Sequence, residues 1–146
     1  MSEHFDTVVR VRYAETDQMR VVYYANYYIY FEVGRVEYMR HRGVDYKQME
    51  QQGDCFIVVA ESNCRYHRPA RYDDLLRIRT RVTEIKRRTI HFGYEIFHDD
   101  TGELLATGAT AHIVCDGKGR PKTLPEKYRR ILAGTTPVEP SPPPMP

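Results

Sequence analysis

The first residues of the chain alternate. Phe5, Thr7, Val9, Val11 and Tyr13 are separated by Asp6, Arg10 and Arg12, the period of a strand with one wet face. From about 25 to 42 the period changes. Ile29, Val33 and Val36 form one stripe while Tyr27, Tyr30, Phe31, Gly34 and Tyr38 fill others, so the first half is apolar nearly all round. A helix of that kind is expected to be buried. His41 and Arg42 put positive charge at its C-terminal end, and Gly43 suits a left-handed cap. Beyond it the pattern is strand-like only, over roughly 54–67, 74–86, 89–98 and 103–115. Arg68-Pro69 and Asp99-Asp100-Thr101-Gly102 punctuate these runs, the latter as a hairpin turn. A short helix is expected over 125–132, followed by a Pro-rich tail over 136–146 that reads as solvated and extended.

Four consecutive strands with short links favour an antiparallel sheet, and the one long helix must then lie across a face of it. The fold class expected is α+β: one strand, a central helix, then four strands. Such a sheet leaves edge strands with unpaired backbone groups, which a domain of this size protects by pairing with a second copy. A homodimer or larger homo-oligomer is therefore expected. Twelve tyrosines and no tryptophan agree with interfaces that are apolar in body and polar at the tip.

At 146 residues the chain is long enough for one domain, over 1–135, to bury a core without staples. A net charge of +2 is too small to imply nucleic acid. Arg supplies 17 of the 22 cations. That bias suits phosphates and carboxylates, and also follows from codon usage. Cys55, Cys64 and Cys115 are odd in number and set in apolar strands, as reduced buried thiols are, and lack the paired spacing of a zinc site. The first residues, Met1-Ser2-Glu3-His4-Phe5, have no basic start followed by an apolar run, and no stretch approaches membrane-spanning length. A cytoplasmic protein without a membrane span is expected.

The chemistry concentrates in Asp17-Gln18-Met19-Arg20-Val21-Val22-Tyr23-Tyr24-Ala25-Asn26-Tyr27. A carboxylate stands in a loop that runs into the first turn of the long helix, where free backbone N–H groups receive an anion. Asp17 there serves either as a helix cap or as the group that attacks a carbonyl or activates water beside an oxyanion site. Acyl transfer from a substrate with a good leaving group needs no metal, only an anionic nucleophile or base and a stabilised oxyanion. An unperturbed Asp is already ionised at neutral pH. Ser2, Ser62 and Ser141 are the only serines and none sits in a Gly-x-Ser-x-Gly elbow.

The run Val11-Arg12-Tyr13-Ala14-Glu15-Thr16-Asp17, then Val21 to Tyr27, then Tyr30-Phe31-Glu32-Val33-Gly34-Arg35, resembles the 4-hydroxybenzoyl-CoA thioesterase family of hotdog-fold enzymes. Within it the chain is similar to the short acyl-CoA thioesterases associated with the Tol-Pal system. The resemblance extends from about 5 to 132, through Arg65-Tyr66 and Gly119-Arg120-Pro121. It implies a five-stranded antiparallel sheet wrapped around one central helix, and an active site at the interface of a homodimer or homotetramer. It also implies Asp17 as catalytic carboxylate, the Tyr24 N–H as oxyanion donor, and Val22, Tyr23, Asn26 and Tyr27 as the substrate side of the loop. Coenzyme A, part of the substrate and not a cofactor, would have its phosphates held by Lys86, Arg87 and Arg88, a run that also fits a solvated hairpin tip. Two positions depart from the family pattern: Arg20 stands where Gly is common, and Tyr24 where several relatives carry His.

Other chemistry is less well placed. Cys64 and His67 fall on opposite faces of one strand end. His91, His98 and His112 alternate with apolar residues as packed or solvent-facing strand histidines do. Glu32 and Glu37 have Arg35, Arg40 and His41 at helical pairing distances, and Glu32 lies in so apolar a segment that a buried, partnered carboxylate is expected. A hotdog dehydratase would need a His beside the Asp17 motif, and none is near it. A catalytically silent acyl-CoA-binding or assembly module of the same fold is the alternative function.

Overall fold

The structure is a computed structural model that describes residues 3–134; the expected tail over 136–146 lies outside the described residues. Five strands form one antiparallel sheet: β1 (Phe5–Arg10), β2 (Phe56–Tyr66), β3 (Leu75–Ile85), β4 (Thr89–His98) and β5 (Leu104–Cys115). Their order across the sheet is β1-β3-β4-β5-β2. The long helix α1 (Tyr27–His41) separates β1 from the rest in sequence and crosses one face, the arrangement the resemblance implied.

Alternation along the strands explains why that face is the core. Leu76, Ile78, Thr80 and Val82 of β3 and Ile90, Phe92, Tyr94 and Ile96 of β4 are buried, each separated by a more exposed residue. Helix α1 answers with Tyr27, Tyr30, Phe31, Gly34, Tyr38 and Met39. Phe31 stacks on Tyr94 with ring centroids 4.4 Å apart, and Tyr38 meets Phe92 edge-on at 6.3 Å. Gly43, with φ +85°, ends the helix as expected.

The structure corrects three expectations. Alternation does not carry β1 as far as Tyr13: the strand stops at Arg10, and residues Tyr13–Glu15 turn as a short 3₁₀ helix that leaves Tyr13 exposed. A helix unforeseen in the pattern, α2 (Tyr46–Gly53), follows α1. It buries Met49 in the core with Tyr46 half-buried against it, too little apolar surface to register as a periodic stripe, and its one clear signal was Asp45, whose side chain accepts from the Lys47 N–H at 2.8 Å. The third correction is that α1 is not buried all round. Ile29 is 47% exposed and Glu32 lies open to solvent beside the bare edge of β2. The final helix, α3 (Glu126–Leu132), lies where it was expected.

The thiols Cys55 and Cys115 are buried and Cys64 half-buried, all three free. No helix among the described residues is long and apolar enough to cross a membrane. His112 is fully buried, its Nε2 2.8 Å from Thr110 Oγ1. Burial, with the Arg35 charge next, pushes its pKa down from 6.5 to about 4. The unfolded chain therefore takes up a proton at a pH where the folded chain does not. Stability is fully present above about pH 7 and declines as pH falls through 6.5 towards 4. A loss of about 2 kcal/mol between pH 7 and 4.5 is expected from urea unfolding, and His112→Gln should flatten that slope.

Candidate active site

The Asp17 loop is built by short-range bonds. After the Tyr13–Glu15 turn, Thr16 bridges Val22, and Asp17 N–H donates to the Val21 carbonyl at 3.0 Å. Arg20 N–H donates back to the Asp17 carbonyl at 2.9 Å, and Asp17 Oδ1 accepts from Met19 N–H at 2.8 Å. The closing residue is Arg20, at φ +66°. The chain thus adopts here the left-handed conformation that Gly would take freely, at a cost of about 1 kcal/mol for a residue with a Cβ.

Val22 N–H then donates to Ala70 and ties this loop to the one after β2. A 3₁₀ turn, Tyr24–Asn26, leads directly into α1. Its orientation is fixed on both sides of Tyr24. Tyr23 N–H donates to the Glu15 carbonyl at 2.9 Å, Asn26 Nδ2 donates to the same oxygen at 2.8 Å, and the Tyr66 hydroxyl donates to the Tyr24 carbonyl at 2.9 Å. The Tyr24 N–H itself has no hydrogen-bond acceptor among the described residues. A helix-start donor without an acceptor, in the positive field of the helix end, can receive an anion or a carbonyl oxygen.

A cavity of about 290 Å³ opens beside this turn, lined by Val21, Val22, Tyr24, Tyr27, Tyr66, His67, Arg68 and Pro69. Tyr27 is pinned at its base, its hydroxyl accepting from Ala70 N–H at 3.3 Å. Tyr23 and Tyr24 lie with ring centroids 4.8 Å apart, and the Tyr23 hydroxyl pKa is raised by its bond to Tyr24 and, further down the order, by the Asp17 charge. Of the residues singled out in the sequence, the structure thus brings together Asp17, Val22, Tyr23, Tyr24 and Tyr27. The Asn26 side chain is occupied by the Glu15 carbonyl. Tyr66, His67, Arg68 and Pro69 were not picked out as lining residues; the Arg68-Pro69 break after a strand was the signal that a loop returns there.

Cys64 does not compete for the chemistry. Burial pushes its thiol up, away from the reactive thiolate, and His67 shares a hydrogen bond with Thr107 at 3.2 Å. Glu32 is exposed, which overturns its expected burial, and it lines a second cleft of about 220 Å³ with Tyr28, Ile29, Arg35, Val59, Ser62 and Thr110.

Lys86, Arg87 and Arg88 form the exposed turn between β3 and β4. Arg87 Nε donates to Thr123 Oγ1 at 3.3 Å, and the Lys86 carbonyl accepts from Arg129 at 3.0 Å. This turn lies at the Phe56 end of β2, since Arg88 accepts from Val114 and Val114 pairs with Ile57. The Asp17 loop lies at the Tyr66 end. Ten residue-to-residue steps along the eleven-residue β2, at ~3.3 Å each, separate the two ends by roughly 33 Å, so one chain holds them apart.

A family profile described as the thioesterase-like superfamily matches residues 11–144. The acyl-CoA thioesterase YbgC of Haemophilus influenzae is 32% identical over 127 residues, covering 86% of this chain and 91% of its own. The chain belongs to the thioesterase-like superfamily. Among solved structures, a DHNA-CoA thioesterase from Staphylococcus aureus superposes with a TM-score of 0.85 at 32% identity, covering 90% of each chain. A hypothetical protein from Thermus thermophilus gives 0.83 at 36% identity, covering 88% of this chain and 97% of its own. The fold is that of the hotdog thioesterases, and the chain is a thioester hydrolase.

Proposed function

We propose that this thioesterase hydrolyses acyl-CoA with Asp17 as nucleophile or general base and the Tyr24 N–H as oxyanion donor. The observation that carries the reading is the unpaired Tyr24 N–H at a helix start, fixed on both sides, beside the Asp17 turn and the mouth of an apolar cavity. The thioester carbonyl accepts from Tyr24 N–H. Asp17 then adds to the carbonyl carbon and expels the CoA thiolate, leaving a mixed anhydride that water opens, or it takes a proton from the water that attacks. Either route ends in free acid and CoA.

The site is completed by a second copy. One exposed flank of the sheet is β2, an edge strand with Val58 52% and Val59 46% exposed, next to Ile29 on α1. Antiparallel pairing of two β2 edges about a two-fold axis sets the Tyr66 end of one copy against the Phe56 end of the other. The phosphates of a CoA bound at Asp17 of one copy then reach Lys86, Arg87 and Arg88 of the second, which the same chain's strand length denies them. Three free thiols fit a reducing, cytoplasmic setting.

Thiol release from short, long and aromatic acyl-CoAs tests the reading. Hydrolysis of at least one class is expected; equal, negligible release across the panel would favour a silent binding module. With the preferred substrate, replacing Lys86, Arg87 and Arg88 together by Ala should raise KM about tenfold or more and leave kcat within about twofold, because phosphate contacts serve ground and transition state alike. Added salt should narrow the gap.

A further inference from the structure

Resting on the reading above, the geometry points to Glu15 as a positioning residue: its buried carboxylate fixes the one backbone segment from which both Asp17 and the Tyr24 N–H are hung. Glu15 is 7% exposed and none of the chemistry already assigned uses it. Its carboxylate is fully engaged. Oε1 accepts from Arg12 N–H and from the Tyr30 hydroxyl, each at 2.9 Å, and Oε2 accepts from Arg12 Nε at 2.8 Å. Burial alone would raise this carboxyl, but the Arg12 N–H, the Arg12 side chain and the Tyr30 hydroxyl together hold it below the ordinary carboxylate value. An ionised group so enclosed is a strong and directional clamp.

What it clamps decides its role. Through Arg12 it holds the exit of β1, and through Tyr30 it holds the first turns of α1, so residue 15 is fixed between the two elements that frame the site. The Glu15 backbone carbonyl then accepts from both Tyr23 N–H and Asn26 Nδ2, the residues on either side of the Tyr24–Ala25 segment. Two residues along the chain, Asp17 begins the turn that the Thr16–Val22 bridge closes. Nucleophile and oxyanion donor therefore take their relative position from one side chain. A displacement of about 1 Å between such groups lowers turnover by as much as a hundredfold without weakening substrate binding.

The test is kcat and KM for Glu15→Gln, Tyr30→Phe and the double variant beside wild type and Asp17→Asn, on the acyl-CoA that wild type hydrolyses best. Gln keeps the size of Glu15 but turns an N–H toward Arg12 Nε, which already donates. Glu15→Gln should lower kcat between roughly tenfold and a hundredfold with KM within about twofold and the limbs of the pH profile in place. Tyr30→Phe, which keeps the ring, should lower kcat about threefold or more in the same manner, and the double variant should fall no further than Glu15→Gln, because the hydroxyl acts through the carboxylate. Kcat within twofold of wild type in Glu15→Gln overturns the inference, as does a loss confined to KM or a pH limb that vanishes with Glu15. If Glu15→Gln does not fold, Tyr30→Phe decides alone by the same kcat and KM criteria. Wild type without Asp17-dependent hydrolysis would instead overturn the reading of the site, and the inference with it.

Discussion

Asp17→Asn is expected to lower kcat by two or more orders of magnitude with little change in KM or in the urea midpoint. The substitution is nearly isosteric. Asn retains the oxygen that accepts from Met19 N–H at 2.8 Å, and the bonds that close the turn, Asp17 N–H to Val21 and Arg20 N–H to Asp17, are made by backbone. The loop therefore keeps its shape, and the helix-start donor at Tyr24 is untouched. What disappears is the negative charge that, in the proposed mechanism, attacks the carbonyl or takes the proton of the attacking water. A neutral amide does neither, and removing a base or nucleophile costs on the order of 10²–10⁴ in turnover. If Asp17 were only a turn-former, Asn would replace it at almost no cost, because Asn serves that role as well as Asp does. Steady-state thiol release separates the two, and a kcat within tenfold of wild type would remove Asp17 from the chemistry.

The largest effect on stability is expected from Gly34→Ala, a loss of about 3 kcal/mol or failure to fold. Gly34 is where α1 comes closest to the sheet. A Cβ there would stand 2.4 Å from Thr80 Oγ1 and 2.7 Å from Ile78 Cγ2. Neither neighbour has anywhere to go, since both are wholly buried on β3 among packed side chains. The helix must lift instead, which opens the Phe31–Tyr94 stack and carries the Tyr24 turn with it. Overpacking of this kind costs about 1–3 kcal/mol where the core can adjust and more where it cannot. The helix propensity of Ala, about 1 kcal/mol better than Gly, offsets only part of it. Urea unfolding of the variant checks the sign and the size.

The elements that were legible in the chain are those whose apolar surface repeats. The strands β3 to β5 and helix α1 each turn several residues to the core, so period located them; β2 sends only Ile57 and Cys64 towards it and was marked by its apolar start and the Arg68-Pro69 break, and Asp99 to Gly102 marked a hairpin by turn chemistry. Helix α2 was not legible because a single buried residue, Met49, carries no period. The exposure of Ile29 and Glu32 was hidden for a different reason: hydrophobicity says that a face is to be covered, not whether the same chain covers it. At the site, the Asp17 turn and the helix-start donor could be read because they are contiguous. The Tyr66 hydroxyl on the Tyr24 carbonyl joins residues 42 apart, and the Glu15 clamp joins positions 12, 15 and 30. Such links have no signature in sequence order. Arg20 was legible as a departure from the family's Gly, and the fold resolves it by placing Arg in the left-handed conformation.

A site split between two copies can be tested by complementation. Asp17→Asn and the Lys86, Arg87 and Arg88 triple Ala variant, co-expressed with different tags and isolated as the mixed species, should recover hydrolysis well above either parent at low acyl-CoA. One interface in the mixed pair joins an intact Asp17 loop to an intact basic turn. If the mixed species hydrolyses no better than its parents while wild type purified by the same two tags is active, the loop and the turn do not serve one substrate, and the composite site is wrong.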